Sequence, residues 1–442
     1  MNLRQPKENP RTMSIRLFTL VGISILLVVT TDLSAARRPP NIVFILADDV
    51  GQEVLGCYGG ESYTTPKLDS LARSGLMFHH CSSMPVCHPT RICLLTGRYP
   101  FQLDNPRWGT FPVDQASGTI AQVLRRQGYA TAIAGKWQIT LLEKDLGHPN
   151  LLGFDQYCLF GWHEGPRYFE PLIWQDGKRR MDTAGKYGPD LYVDYLVDFF
   201  KQNKDQPFFA FYSMALCHDV TDDLDQPVPH GPNDRYESYS EMVASMDDHV
   251  GRIITALDDL ELRDNTLVLF STDNGTPKTY IARAEGDKLV KIPVVSQQRG
   301  QAVPGGKGDL SDRGTRIPTI ASWPGIIGAG TETNALVDFS DMLPTFAQLA
   351  GAATPDHARA GSSFASVLRH PRSNGRPWVF AEGRGGYWLR TESWKLYGDG
   401  RFFDMRNDPL ERTPLIPETL PRRAQHDHAM LSDAARGLMV DR

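Results

Sequence analysis

Two stretches, NIVFILADD (Asn41–Asp49) and NTLVLFSTDNG (Asn265–Gly275), constrain the fold more than any others. Each is a continuous apolar run that stops abruptly on hard oxygen donors. A run apolar on both faces belongs in a strand covered on both faces, as at the centre of a parallel sheet. Open α/β sheets gather ligands at the carboxyl ends of their strands. Asp48, Asp49, Asp273 and Asn274 stand at those ends. Asp48 and Asp49 read either as solvated acids on an exposed turn or as a repelling pair that a cation neutralises. Two such strand ends together suggest one Ca²⁺ or Mg²⁺ site assembled from both. Asn274-Gly275-Thr276 also matches a glycosylation sequon, but a glycan there would occupy the metal position.

The segments between and after these runs alternate. TIAQVLRRQGYATAIAGKW reads as helix, glycine turn and a short strand ending in Lys136-Trp137. YVDYLVDFFKQN has helical spacing, PFFAFYSMALCHD reads as a strand ending at His218, and SYSEMVASMDDHVGRIITALDDL is a long amphipathic helix. Such alternation predicts an α/β fold: a large, mostly parallel or mixed sheet sandwiched by helices. Thr276 to Pro304 is polar and reads as a long irregular loop, the kind that carries binding residues. GGKGDLSDRGTRIP follows, with glycines around Lys307, and FSDMLPTFAQLAGAA reads as a helix closed by Gly351. After Ser362 the chain becomes aromatic-rich and broken by glycines, as in a small antiparallel sheet. A boundary near His370 to Arg376 divides a catalytic domain, 37–372, from a small C-terminal α+β subdomain, 373–442, whose sheet is packed by a helix.

MPVCHPTRICLLTGRYP (Met84–Pro100) holds the chemically richest motif. Pro89 suits a first helical turn and Gly97 a helix stop, which places Cys87 just ahead of a helix N-terminus. The free N–H groups there favour an anion, and Arg91 adds a cation one turn further on. Cys87 reads as a buried structural thiol, as a thiolate nucleophile, or, with His79, His80, Cys81 and His88, as part of a zinc site. Six cysteines in 442 residues do not make a disulfide framework.

Arg11 and Arg16 precede an apolar run from Leu17 to Val29, and Ser34-Ala35-Ala36 offers a small-x-small cleavage site. Residues 1–36 therefore read as a signal peptide, with an uncleaved anchor as the alternative. The protein is expected to be secreted or periplasmic, with no stable membrane span after cleavage. A net charge of −5 and no long basic run give a nucleic-acid partner no electrostatic support. An anionic ligand must be held by local cations.

Taken together, Cys87-His88-Pro89-Thr90-Arg91 followed by LLTGRYP resembles the Cys-x-Pro-x-Arg signature of the type I, formylglycine-dependent sulfatases of the alkaline phosphatase superfamily. The order of motifs is also similar: a strand ending in Asp-Asp, the Cys motif, Gly-Lys-Trp, a strand ending in His, one ending in Asp-Asn-Gly, Gly-Gly-Lys-Gly, and MRNDPLER near the end. The resemblance spans nearly all of the chain after the leader. It implies that a formylglycine-generating maturation enzyme oxidises Cys87 to an aldehyde. One hydroxyl of the hydrated aldehyde attacks sulfur and the other releases the sulfate. It also implies one Ca²⁺ held by Asp48, Asp49, Asp273 and Asn274 and touching the group at Cys87. Arg91 would orient the diol, Lys136 and Lys307 would grip sulfate oxygens, and His218 would protonate the leaving alkoxide. The family usually has histidine where Gln138 stands, and His88 or a water is the candidate substitute. The implied substrate is a sulfate ester, with sulfated carbohydrate the expected class. Trp108, Trp162, Tyr168 and Trp174 are candidates for stacking on sugar rings or for plain packing. Hydrolysis of phosphodiesters or phosphonate monoesters on the same scaffold, and non-catalytic binding of sulfated glycan, are the rival readings.

Overall fold

The computed structural model describes residues 38–161, 163–219, 238–285 and 288–440. The expected signal peptide, 1–36, and Trp162 lie outside the described residues. In chain order the strands are β1 (Asn41–Ala47), β2 (Leu76–Ser82), β3 (Ala130–Trp137), β4 (Gln156–Gly161), β5 (Trp174–Gln175), β6 (Lys178–Arg179), β7 (Phe208–Ser213) and β8 (Thr266–Thr272). β9 (Thr279–Glu285), β10 (Lys288–Pro293), β11 (Val295–Gln298) and β12 (Gln301–Pro304) follow, then β13 (Arg316–Ser322) and β14 (Thr331–Asp338). β15 (Val379–Gly383), β16 (Gly386–Arg390), β17 (Trp394–Tyr397) and β18 (Phe402–Asp404) close the series.

Ten strands form one sheet in the order β14-β2-β13-β8-β1-β7-β3-β4-β5-β6. The central strands β8, β1, β7, β3 and β4 are all parallel. β13 runs antiparallel between β8 and β2, so the sheet is mixed. β1 explains its own apolar run. Ile42, Phe44 and Leu46 enter the core on one face, and Val43, Ile45 and Ala47 the core on the other. Full burial of each large side chain contributes about 1.5–3 kcal/mol, so a polar residue inside this strand is not tolerated on either face. The helices Gly188–Asn203 and Tyr239–Asp259 cover one face. The second starts on Ser238, whose hydroxyl accepts from the Glu241 N–H. The helices Cys87–Thr96, Ile120–Arg126 and Met342–Leu349 cover the other.

β15 to β18 form the small antiparallel sheet, and the helix Arg422–Val440 packs on it. The apolar core of this part is continuous with that under the main sheet, and Arg38–Arg442 cluster as one compact unit. Three expectations need correcting. The strand expected to reach His218 ends at Ser213, because the chain turns away once its pairing with β1 and β3 is complete. Thr276 to Pro304 is not an irregular loop. It forms two antiparallel hairpins, β9 with β10 and β11 with β12, whose largely exposed side chains give no apolar alternation to read. The helix begins at Cys87 itself, after an extended Val86, with Gly97 as its left-handed stop at φ 66°. Among the described residues, no helix is long and apolar enough to cross a membrane.

Candidate active site

Four adjacent parallel strands deliver polar groups to one edge of the sheet. Asp48 and Asp49 follow β1, Asp273 and Asn274 follow β8, Lys136 is the penultimate residue of β3, and His218 lies on the turn after β7. Asp49 takes φ 61°, a left-handed conformation that an aspartate accepts more readily than most residues and that breaks the strand sharply. Cys87 meets these groups as the first residue of its helix. Thr90 Oγ1 donates to the Asp273 carbonyl at 2.8 Å, tying that helix to the end of β8. The motif glycines allow close backbone approach. A Cβ at Gly275 would lie 1.8 Å from the Arg313 carbonyl oxygen, and one at Gly306 would lie 2.4 Å from the Arg313 Cβ. This packing sets Lys307 beside Asp49.

Charges interlock at the edge. Lys307 Nζ donates to Asp49 Oδ2 at 2.7 Å, Lys136 Nζ donates to Asp48 Oδ2, and Arg91 Nη2 donates to Asp273 Oδ2 at 2.9 Å. Asn274 Nδ2 donates to Asp49 Oδ1 at 2.7 Å. The three carboxylates respond differently. Burial works to raise Asp48, but Lys136, His218 and Arg91 together outweigh it and hold the carboxyl well below the usual range. Burial, with Asp48 and Asp273 as like-charged neighbours, lifts Asp49 to about 7 against the pull of Lys307. Asp273 is also raised, by burial and then by Asp48.

The donor set fits a hard divalent cation. Ligand atoms of Asp48, Asp49, Cys87 and Asp273 all lie within 4.8 Å of one another, and all four residues are buried. Asn274 Oδ1, also buried, has no hydrogen-bond partner among the described residues. Converging carboxylate and amide oxygens are the ligands Ca²⁺ and Mg²⁺ prefer. The zinc set is not assembled. His79 Nε2 pairs with Glu332 at 2.8 Å, Cys81 lies in the core, and the Asp48 cluster is the one group of three or more candidate ligands among the described residues. Full burial of Asn274 leaves the sequon no room for a glycan.

Cys87 is 4% exposed, and its Sγ lies 3.6 Å from Asp48 Oδ1. Burial, and then Asp273, push its thiol up to about 12, so the unmodified group is a neutral thiol near pH 7 and a poor nucleophile. His218 is held well below the ordinary range, first by burial and then by Lys307. Its Nδ1 donates to the Asp219 carbonyl at 2.6 Å, and Nε2 lies 3.8 Å from Asp49 Oδ2. His88 donates from Nε2 to the Thr110 carbonyl at 3.0 Å, and burial pushes its ring down to about 4.

A cavity of about 770 Å³ opens above this floor. Cys87, His88, Gln138, His218 and Lys307 line it, together with Trp108, Glu382, Arg384 and Tyr387. Gln138 is 5% exposed, and its Oε1 has no hydrogen-bond partner among the described residues. Of the three candidate stacking aromatics among the described residues, Trp108 lines this cavity. Tyr168 is buried and its hydroxyl donates to the carbonyls of Ala215 and His218, and Trp174 Nε1 donates to Glu164. Sequence reading missed Ser213. Its hydroxyl accepts from Arg91 Nη1 and donates to the Lys136 carbonyl at 2.7 Å, joining two of the expected residues. Its one signal is a polar residue closing the apolar run FFAFYS. Glu382, Arg384 and Tyr387 were missed because nothing local links a hairpin of the C-terminal sheet to a cysteine nearly three hundred residues earlier.

Known proteins are similar to this chain along most of its length. The Sulfatase family profile matches residues 40–352. The chain is 31% identical to Arylsulfatase A of Homo sapiens over 416 residues, covering 85% of this chain and 77% of that protein. It is 29% identical to N-acetylgalactosamine-6-sulfatase of Homo sapiens over 419 residues, covering 83% of this chain and 75% of that one. Among solved structures it is similar to Ps i-CgsB, with a TM-score of 0.71, 25% identity, and coverage of 91% of this chain and 92% of that one. A second structure of Ps i-CgsB is a complex with k-i-k-neocarrahexaose.

Proposed function

The chain belongs to the sulfatase family of the alkaline phosphatase superfamily and is a sulfuric-ester hydrolase, and from that premise we propose that it is exported and removes sulfate from carbohydrate, using formylglycine made from Cys87 and one Ca²⁺. The observation that carries this reading is the strand edge itself. Three carboxylates and three cations converge on one buried cysteine at a helix N-terminus, on the floor of an open cavity. The carbohydrate part is supported by the saccharide-directed relatives and by the aromatic and polar lining of the cavity. Residues 37–372 would supply the floor and residues 373–442 one wall.

Asp48, Asp49, Asp273 and Asn274 would hold Ca²⁺ beside the group at position 87. The ion, when bound, would acidify the nucleophile and offset charge on the transferring sulfate. Formylglycine would supply a geminal diol in place of a thiol that burial keeps neutral. Arg91, fixed by Asp273 and Ser213, orients the group at position 87. Lys136 and Lys307 bind sulfate oxygens and neutralise the charge that builds on them. His218 gives a proton from Nε2 to the leaving oxygen. Its Nδ1–H is already committed to the Asp219 carbonyl, and an anionic ester beside the ring raises its affinity for the second proton. Gln138 offers a hydrogen-bonding amide where the resemblance expects a histidine. It holds a hydroxyl in place but moves no proton.

The test uses protein co-produced with the maturation enzyme. Sulfate release is measured from 4-nitrophenyl sulfate and sulfated oligosaccharides, beside an aryl phosphodiester. Sulfate release that EDTA abolishes and Ca²⁺ restores is the expected result. Faster cleavage of the phosphodiester would contradict the sulfatase preference, and tight oligosaccharide binding without any sulfate release would favour a binding protein. Export is checked by the mature N-terminus, expected at Arg37.

A further inference from the structure

The tip joining β15 to β16 reads Gly383-Arg384-Gly385-Gly386. It is pressed onto the segment that leads into Cys87. A Cβ at Gly383 would lie 2.6 Å from Pro85 Cγ, the Glu382 N–H donates to Met84 Sδ at 3.4 Å, and Glu382 Oε1 accepts from the Phe101 N–H at 2.8 Å. The next two positions are open, since a Cβ at Gly385 or Gly386 would meet nothing within 4 Å. A fixed tip therefore presents Arg384, exposed, to the cavity that Cys87 lines.

Charge makes Arg384 unusual. The floor cations Arg91, Lys136 and Lys307 are each bonded to a carboxylate. Arg384 has neither an ion pair nor a side-chain hydrogen bond among the described residues. Its planar fork matches a sulfate or a carboxylate with two parallel hydrogen bonds. The surrounding lining sets apolar and aromatic groups beside the polar Asn105 and Glu382. Trp108 is 44% exposed with its ring 5.3 Å from that of His163, Val86 is 37% exposed, and Tyr387 directly follows Gly386. Such surfaces accept the C–H face of a sugar ring.

We propose that Arg384, with Trp108 and Tyr387, forms an anion-recognising subsite in the active-site cavity. The preferred substrate is then a saccharide carrying a second negative group, sulfate or carboxylate, besides the ester that is cleaved. Lys136 and Lys307 serve the reacting sulfate on the floor, and Arg384 serves the second anion at the rim. This inference rests on the carbohydrate-sulfatase reading and adds a charge requirement to it.

The test compares matured wild type with Arg384→Ala, Arg384→Lys and Arg384→Glu. The substrates are 4-nitrophenyl sulfate, a neutral monosulfated oligosaccharide, a disulfated one, and a monosulfated one containing a uronate. Wild type is expected to favour a doubly charged saccharide over the neutral one. The ratio of kcat/KM for that saccharide to kcat/KM for 4-nitrophenyl sulfate is expected to fall by about tenfold or more in Arg384→Ala, mainly through KM. Arg384→Lys should restore part of it and Arg384→Glu should lower it further. A fall confined to the disulfated substrate identifies the second anion as sulfate, and one confined to the uronate identifies it as carboxylate. An unchanged ratio in Arg384→Ala, or a wild type that prefers the neutral saccharide, overturns the subsite. Sulfate release from 4-nitrophenyl sulfate but from no saccharide overturns it while leaving the sulfatase assignment intact. Release from neither contradicts the underlying reading and takes the subsite with it.

Discussion

Two buried charge clusters in this molecule use the same kinds of side chain and differ in how completely they are satisfied. In the first, Lys395 Nζ donates to Asp312 Oδ1 at 3.0 Å, to Glu411 Oε1 at 2.8 Å and to the Leu310 carbonyl at 3.3 Å. Arg390 donates to Asp312 and to the carbonyls of Thr391 and Glu392. Burial works to raise the Asp312 carboxyl, but Arg390 and Lys395 outweigh it and hold it well below the usual range. In the second, at the ends of β1 and β8, Asp49 and Asp273 are pushed up, and Arg91 Nε, Gln138 Oε1 and Asn274 Oδ1 lack partners among the described residues. Folding alone completes the first cluster, which fastens the C-terminal sheet to the segment after Lys307. The second keeps like charges face to face beside a cavity, an arrangement that a bound ion and substrate complete.

The largest effect that separates them is expected from Asp49→Asn. It should lower sulfate release at least about a thousandfold while leaving the melting temperature of metal-free protein nearly unchanged, because relief of repulsion from Asp48 and Asp273 offsets the lost pair with Lys307. A clear drop in melting temperature would place Asp49 with the structural cluster. Next comes Lys395→Ala, which strands buried carboxylates and should destabilise by about 3–5 kcal/mol in denaturant titration. A loss below about 1 kcal/mol would show that the first cluster is not the fastening it resembles.

A pH series sharpens the contrast. Asp312 titrates lower in the folded chain than in the unfolded one. Its stabilisation is therefore full above about pH 4, the ordinary carboxylate value, and is lost as pH falls through the folded value. The stability advantage of wild type over Asp312→Asn should be flat at neutral pH and shrink below about pH 4. An advantage that instead grows on acidification would contradict the sign. The smallest effect is expected from Gln138→His, which should keep activity within about tenfold, since it returns a hydrogen-bonding ring to the position where the resemblance expects one. Abolished activity with Ca²⁺ still bound would give the glutamine a role of its own.

How much of this was legible beforehand follows from where each signal lives. β1 and β8 are readable because a strand covered on both faces is apolar through its middle, so the carboxylates that follow it stand out. Cys87 and Arg91 were readable because Pro89 and Gly97 punctuate their helix, although the helix takes in Cys87 as well. His218 reads as the end of a strand that stops at Ser213, since an apolar turn such as MALC is indistinguishable from more strand. The hairpins β9 to β12 read as a loop, because their few buried side chains, Ile281 and Ala282 in β9 and Ser296 in β11, form no alternating apolar pattern. Ser213 and Arg384 owe their places to neighbours distant in sequence, and no local pattern encodes those.

Everything at the strand edge turns on what stands at position 87, so the most direct measurement is the mass of the tryptic peptide containing it, from protein exported by its native host. Replacement of CH₂SH by CHO lowers that mass by about 18 Da. This loss, together with Ca²⁺-dependent sulfate release, is the predicted result. An unmodified thiol in fully active protein would contradict it, because the activity would then not depend on formylglycine.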